Sequence, residues 1–185
     1  RCLKGYSVDD TWITGEHYFY LNYCPIGRVV TNENTGEDTE ELDFPMFCSM
    51  DYYWFLELDR AQNPKGGNSK SHIIAAKSRR MGFSYKNASG ALWRFVFFKE
   101  STTIIASEFG AKAKNTFDMA MTMHDFLNKN TEFGSPLTNR RSTENKCYVK
   151  AGAEITRKGK KYVKGRRSII AVSYTHLRAH ETGRN

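Results

Sequence analysis

The stretch Ile73 to Lys86, I-I-A-A-K-S-R-R-M-G-F-S-Y-K, constrains the fold more than any other part of the chain. A short apolar run, Ile73-Ile74-Ala75-Ala76, stops at a basic, polar turn that holds Gly82 and Ser84. Beyond it Ala88, Ala91, Leu92 and Phe95 recur at helical spacing. Strand, tight loop and helix in that order are the layout of a phosphate-binding loop. Against the usual pattern G-x-x-x-x-G-K-[ST], Lys77 stands where the first glycine belongs and Phe83 where the lysine belongs. Such a loop works through backbone N–H groups and a helix N-terminus turned toward the anion. Gly82 permits close approach of the backbone, and Ser84 in the first helical turn can offer a hydroxyl to Mg²⁺. Phe83 cannot neutralise phosphate charge, so the expected lysine is Lys77, with Arg79, Arg80 and Lys86 as substitutes. The plainer reading is a basic turn that ends a buried strand, with Arg79 and Arg80 solvated.

The flanks fit an open α/β sheet. His72 to Ala76 reads as a buried strand, Ser84 to Phe98 as a helix and Ser101 to Ser107 as a second β-branched strand. Gly90 weakens the first helix by about 1 kcal/mol relative to alanine. A further helix is predicted from Ala111 to Asn128, with Phe117, Ala120, Met121, His124 and Leu127 as its apolar stripe. This alternation predicts parallel strands with the loop at a carboxyl end, where such sheets bind ligands. Earlier in the chain, His17 to Ile26 is aromatic-rich and reads as a strand, followed by a short strand at Arg28 to Thr31. Asn32 to Asp43 reads as an acidic loop, Asp51 to Gln62 as a helix, and Asn63 to Ser71 as a turn-rich connector. Later, Thr131 to Thr143 reads as a loop. Cys147 to Thr156 and Tyr162 to Val172 read as strands around the basic turn Arg157 to Lys161.

The 185 residues carry a formal charge of +8, unevenly spread. Residues 1–60 hold 12 acids against 4 Lys and Arg, whereas residues 140–171 hold 11 Lys and Arg against 2 acids. The basic end suits a polyanion, and Lys160, Lys161, Lys164, Arg166 and Arg167 are its candidate phosphate contacts. A solvated hairpin is the alternative. Cys2, Cys24, Cys48 and Cys147 lack metal-site spacing and read as thiols in a reducing cytosol. No run of about 18 apolar residues is present to span a membrane.

Taken together, Lys77, Ser78, Arg80, Gly82, Phe83 and Ser84 resemble the deviant K-S-x-R-x-G-[YF]-S loop of phage large terminase subunits, the ATPases of viral DNA packaging. Y-F-Y-L-N-Y-C-P-I, F-P-M-F and D-Y-Y-W-F before the loop, and T-T-I-I-A-S-E after it, are similar to the same family. The resemblance covers residues 12–171. It implies an α/β fold of the P-loop NTPase (RecA-like, ASCE) kind, a partial parallel sheet with an aromatic-rich N-terminal extension. Residues 1–71 would form that extension and residues 72–171 a truncated ATPase core.

The resemblance further implies ATP and Mg²⁺ as cofactors. Lys77 would be the catalytic lysine, Lys77, Ser78, Arg79, Arg80, Met81, Gly82, Phe83, Ser84 and Tyr85 the cradle, and Ser84 the metal contact. The family's adenine-contacting aromatics would be sought among Phe47, Tyr52, Tyr53 and Trp54, with Tyr52 and Tyr53 the choices and Gln62 a further possibility. The implied partners are double-stranded DNA, a small terminase subunit, a portal protein and further copies of the chain, in the host cytoplasm. The family's apolar strand ending Asp-Glu is not found before Ala171, and its nuclease carboxylates are absent. ATP binding without hydrolysis is therefore expected of this stretch. The competing expectation, from charge alone, is a basic nucleic-acid-binding module without ATPase activity.

Val172 to Thr182, V-S-Y-T-H-L-R-A-H-E-T, is similar to the in-frame translation of a transposon-based sequencing adapter. Residues 172–185 are accordingly kept out of the functional reasoning, and the chain is expected to be a fragment.

Overall fold

The computed structural model describes residues 1–31, 36–63, 71–79, 81–143, 146–157 and 160–174. The chain opens with a small antiparallel pair, β1 (Tyr6–Val8) and β2 (Thr11–Ile13), then enters helix α1 (Gly15–Tyr23). The predicted strand at His17 to Ile26 is thus a helix. Thr14 caps it, its Oγ1 accepting from the His17 N–H at 3.2 Å. Phe19, Tyr20, Tyr23 and Cys24 fall at i, i+1, i+4 and i+5, one helical face, and that face enters the core. Aromatic content favours strands in general, but the cap and this spacing decide here.

Pro25 ends the helix, and β3 (Ile26–Thr31) pairs antiparallel with β4 (Asp38–Asp43) as a separate ribbon. β4 replaces the predicted acidic loop. It is exposed along its whole length and held by ladder bonds, by an Arg28–Asp43 ion pair at 2.8 Å and by Thr31 Oγ1 donating to Asp38 at 2.7 Å. Helix α2 (Ser49–Gln62) follows, its N-terminus capped by Cys48 Sγ, which accepts from the Asp51 N–H.

Residues 71–79 belong to no helix or strand and are largely exposed, Ile74 to 97%. The predicted strand at His72 to Ala76 is therefore not formed. An apolar run becomes a strand only when a neighbour supplies a hydrogen-bond ladder, and no strand pairing includes these residues.

Helix α3 (Phe83–Phe97), strand β5 (Thr102–Ser107) and helix α4 (Gly110–Asn130) lie within a residue or two of expectation. The predicted stripe of α4 is buried throughout: Phe117, Ala120, Met121, His124 and Leu127. It packs on α3 and on a four-stranded sheet of order β5-β10-β7-β6, with β6 (Leu137–Thr143), β7 (Lys146–Ala151) and β10 (Ile169–Tyr174). β5 and β10 run parallel, and the other pairs are antiparallel. The fold class is thus mixed α/β with a mixed sheet. β6 falls where a loop was predicted. Its position is fixed by α4, where Asp118 accepts from Ser142 at 2.6 Å and Asp125 binds Arg140 at 3.1 Å. β10 continues through Val172 and Ser173, which pair with Ile105 and Ala106, so the strand runs on into the adapter-like sequence.

Between β7 and β10 the chain leaves the sheet as a hairpin, β8 (Ala153–Arg157) and β9 (Lys160–Lys164). Its base is a neck of two glycines. Gly152 has φ +133° and Gly165 φ +139°, and a Cβ on Gly165 would lie 2.8 Å from the Gly152 Cα. Only glycine suits either place. The core beneath is formed by Phe19, Phe55, Leu92, Phe95, Val96, Phe117, Met121, Met123, Val149 and Ile170. Among the described residues no helix is long and apolar enough to cross a membrane.

Candidate phosphate-binding site

Gly82 is the N-cap of α3, in the left-handed conformation at φ +64° and ψ +13°. A Cβ there would meet nothing within 4 Å, so the residue is required for its backbone angle rather than for space. Among the described residues no side chain caps α3, which leaves its first-turn N–H groups without a side-chain acceptor. The helix dipole adds partial positive charge at the same end.

Two lysines flank the aromatic ring that begins the helix. Lys77 Nζ lies 5.4 Å from the Phe83 ring centroid and donates to the Ser78 carbonyl at 3.3 Å. Lys86 Nζ lies 5.2 Å from the same centroid. Their roles differ. Lys86 is buried, forms an ion pair with Asp51 at the start of α2, and donates to the Met81 carbonyl at 2.9 Å. Its charge is thereby committed to holding the loop's end against α2, and it is no substitute for Lys77. Lys77 is exposed, and no ion pair among the described residues takes up its charge. Ser78 and Arg79 are also exposed, Met81 is half-buried, and Arg80 lies outside the described residues.

Tyr85 is not turned to a ligand through its hydroxyl, which accepts the Gly27 N–H at 3.2 Å and fastens the β3–β4 ribbon to α3. Ser84 is exposed and lines a cleft of about 350 Å³ with Asn87, Ser107, Lys112, Asn115 and Thr116. The cleft lies at the carboxyl end of β5, beside the starts of α3 and α4. Asn87, Lys112, Asn115 and Thr116 had no motif to mark them; only the packing of α3 on α4 brings them to Ser84.

The aromatic that reaches the loop from α2 is Trp54, whose ring centroid is 4.6 Å from that of Phe83. Tyr52 instead packs on Phe47 and His17, and Tyr53 is exposed against Tyr52. Tyr52 and Tyr53 are the expected adenine contacts; Trp54 is the α2 aromatic whose ring meets Phe83.

Behind the site sit two buried groups of α1. His17 is stacked between Phe55 at 4.9 Å and Phe47 at 5.5 Å, and among the described residues neither ring nitrogen has a hydrogen-bond partner. Burial lowers its pKa to about 4, against the pull of Asp51 and with a push from Lys86. Burial raises the Glu16 carboxyl to about 7, with Arg94 opposing and Asp59 reinforcing. The Glu16 carboxylate lies over Gly90, where a Cβ would collide with it. That contact accounts for a glycine in mid-helix.

The candidate basic contacts divide in two. Lys160, Lys161 and Lys164 are exposed on β9. Arg166 and Arg167 are structural: Arg166 Nη1 donates to the Phe97 carbonyl at 2.9 Å, and Arg167 pairs with Glu100. Together they staple the turn after α3 to the approach of β10.

Among the described residues no cluster of three or more His, Cys, Asp or Glu side chains is placed to hold a metal. No family model, curated protein or solved structure matches the chain.

Proposed function

We propose that the loop from Lys77 to Ser84 binds the phosphates of ATP, as part of a viral DNA-packaging motor ATPase of the large terminase kind. One observation carries the reading: an exposed lysine ammonium stands beside an uncapped, glycine-opened helix N-terminus. The N–H groups and the dipole receive the anion, and Lys77 neutralises it. Ser84 would offer its hydroxyl to a nucleotide-borne Mg²⁺, which would neutralise phosphate charge there. Trp54 and Phe83 give the loop an aromatic wall. Hydrolysis, DNA translocation, a small terminase subunit, a portal protein, assembly with further copies and a host-cytoplasmic setting belong to the same proposal, through the sequence resemblance alone. So does a P-loop form for the sheet.

Thermal denaturation with and without millimolar Mg-ATP tests it. Binding to the native state raises Tm, by an amount that grows with the logarithm of ligand concentration over Kd. A rise in the wild type that Lys77→Ala abolishes is expected. An unchanged Tm in the wild type, or an equal rise in Lys77→Ala, refutes the assignment. The second reading, a nucleic-acid-binding module without ATPase activity, is favoured by the basic β8–β9 hairpin, and an unchanged Tm would leave it in possession.

A further inference from the structure

The β8–β9 hairpin sorts its side chains by face. Residues on a strand alternate sides, and the register pairs Arg157 with Lys160, Ile155 with Tyr162, and Ala153 with Lys164. These six share one face. Glu154, Thr156, Lys161 and Val163 share the other, where Glu154 and Lys161 form an ion pair at 3.5 Å. The hairpin's one acid is thus confined to the second face and neutralised there.

The first face is a row of cations around an aromatic ring. Tyr162 is 50% exposed, beside a partly exposed Ile155, and among the described residues it stacks on no other ring. Lys160 and Lys164 bracket it at two-residue spacing, about 7 Å to either side. Neither lysine forms an ion pair among the described residues. A basic groove with an exposed aromatic is the arrangement that engages unpaired nucleotides, whose bases can stack on the ring. In a duplex the base faces are covered by neighbouring pairs, and the ring would have nothing to stack on.

We propose that this face of the hairpin binds single-stranded nucleic acid, with Tyr162 stacked on a base and Arg157, Lys160 and Lys164 on the flanking phosphates. The proposal narrows the polyanion partner inferred from charge. It is independent of the ATP site.

Fluorescence anisotropy with a labelled oligothymidylate of about 20 nucleotides, and with a duplex of the same length, tests it across a salt series. Tighter binding of the single strand by the wild type is expected. Tyr162→Ala weakens it by about fivefold to hundredfold with an unchanged salt slope, and Tyr162→Phe restores it. Lys160→Ala and Lys164→Ala each reduce the salt slope by about 0.7, whereas Lys161→Ala on the opposite face leaves it unchanged. Circular dichroism confirms that each variant is folded. No binding of the single strand, preference for the duplex, or a Tyr162→Ala curve that overlays the wild type overturns the proposal. Lys77→Ala run alongside keeps full affinity; a loss equal to that of Tyr162→Ala would overturn the assignment to the hairpin.

Discussion

Asp51 and Lys86, 35 residues apart, form a buried ion pair that joins the first turn of α2 to the first turn of α3. Removing one partner leaves the other charge buried and uncompensated, which costs about 3–5 kcal/mol. Asp51→Asn and Lys86→Met are each expected to fall in that range by urea denaturation. The double variant Asp51→Asn/Lys86→Met should lose far less than their sum, because no lone charge remains. Additive losses would show that the pair is not coupled.

Glu16 weakens the fold as pH rises. Its carboxyl titrates near 4.5 when unfolded and about 7 when folded, so the folded state holds the proton more tightly. Its contribution is fully present below pH 4.5 and lost as pH climbs through 7, by about 3 kcal/mol. Glu16→Gln should therefore be more stable than wild type at pH 8 and indistinguishable from it at pH 4. A variant no more stable at pH 8 would contradict this.

His17 acts in the opposite sense. Its pKa falls from 6.5 to about 4 on folding, so its contribution is present above pH 6.5 and lost as pH drops toward 4. Between pH 4.5 and 6.5 the slopes of these adjacent residues oppose each other. His17→Phe keeps an aromatic between Phe47 and Phe55 and removes only the acid limb. Its denaturation midpoint should decline steadily from pH 4.5 to 7, while Glu16→Gln declines in the acid direction. Parallel pH curves for the two variants would refute the assignment.

What could be foreseen from the sequence was local. α3, β5 and the buried stripe of α4 announce themselves through periodicity within a single element. The helix at Gly15 was signalled by Thr14, but aromatic content obscured it. β4 could not be foreseen, since its six residues are polar and gain a strand only by facing β3. The apolar run at Ile73 reads as a strand for the converse reason: its composition fits, but no strand among the described residues pairs with it. At the site, the motif picked out Lys77, Gly82 and Ser84. It could not separate Lys77 from Lys86, because that distinction lies with Asp51 on another helix. Trp54 was likewise one of several aromatics until α2 was laid beside Phe83.

The two-glycine neck beneath the hairpin makes that arm a module. The chain enters it at Gly152 and leaves it at Gly165, and its ladder runs out to the Arg157–Lys160 pair. The exposed side chains of β8 and β9 can be exchanged without disturbing a core side chain. Evolution can thus retune the arm's reach and charge while the helices and sheet stay under separate selection, provided both glycines remain.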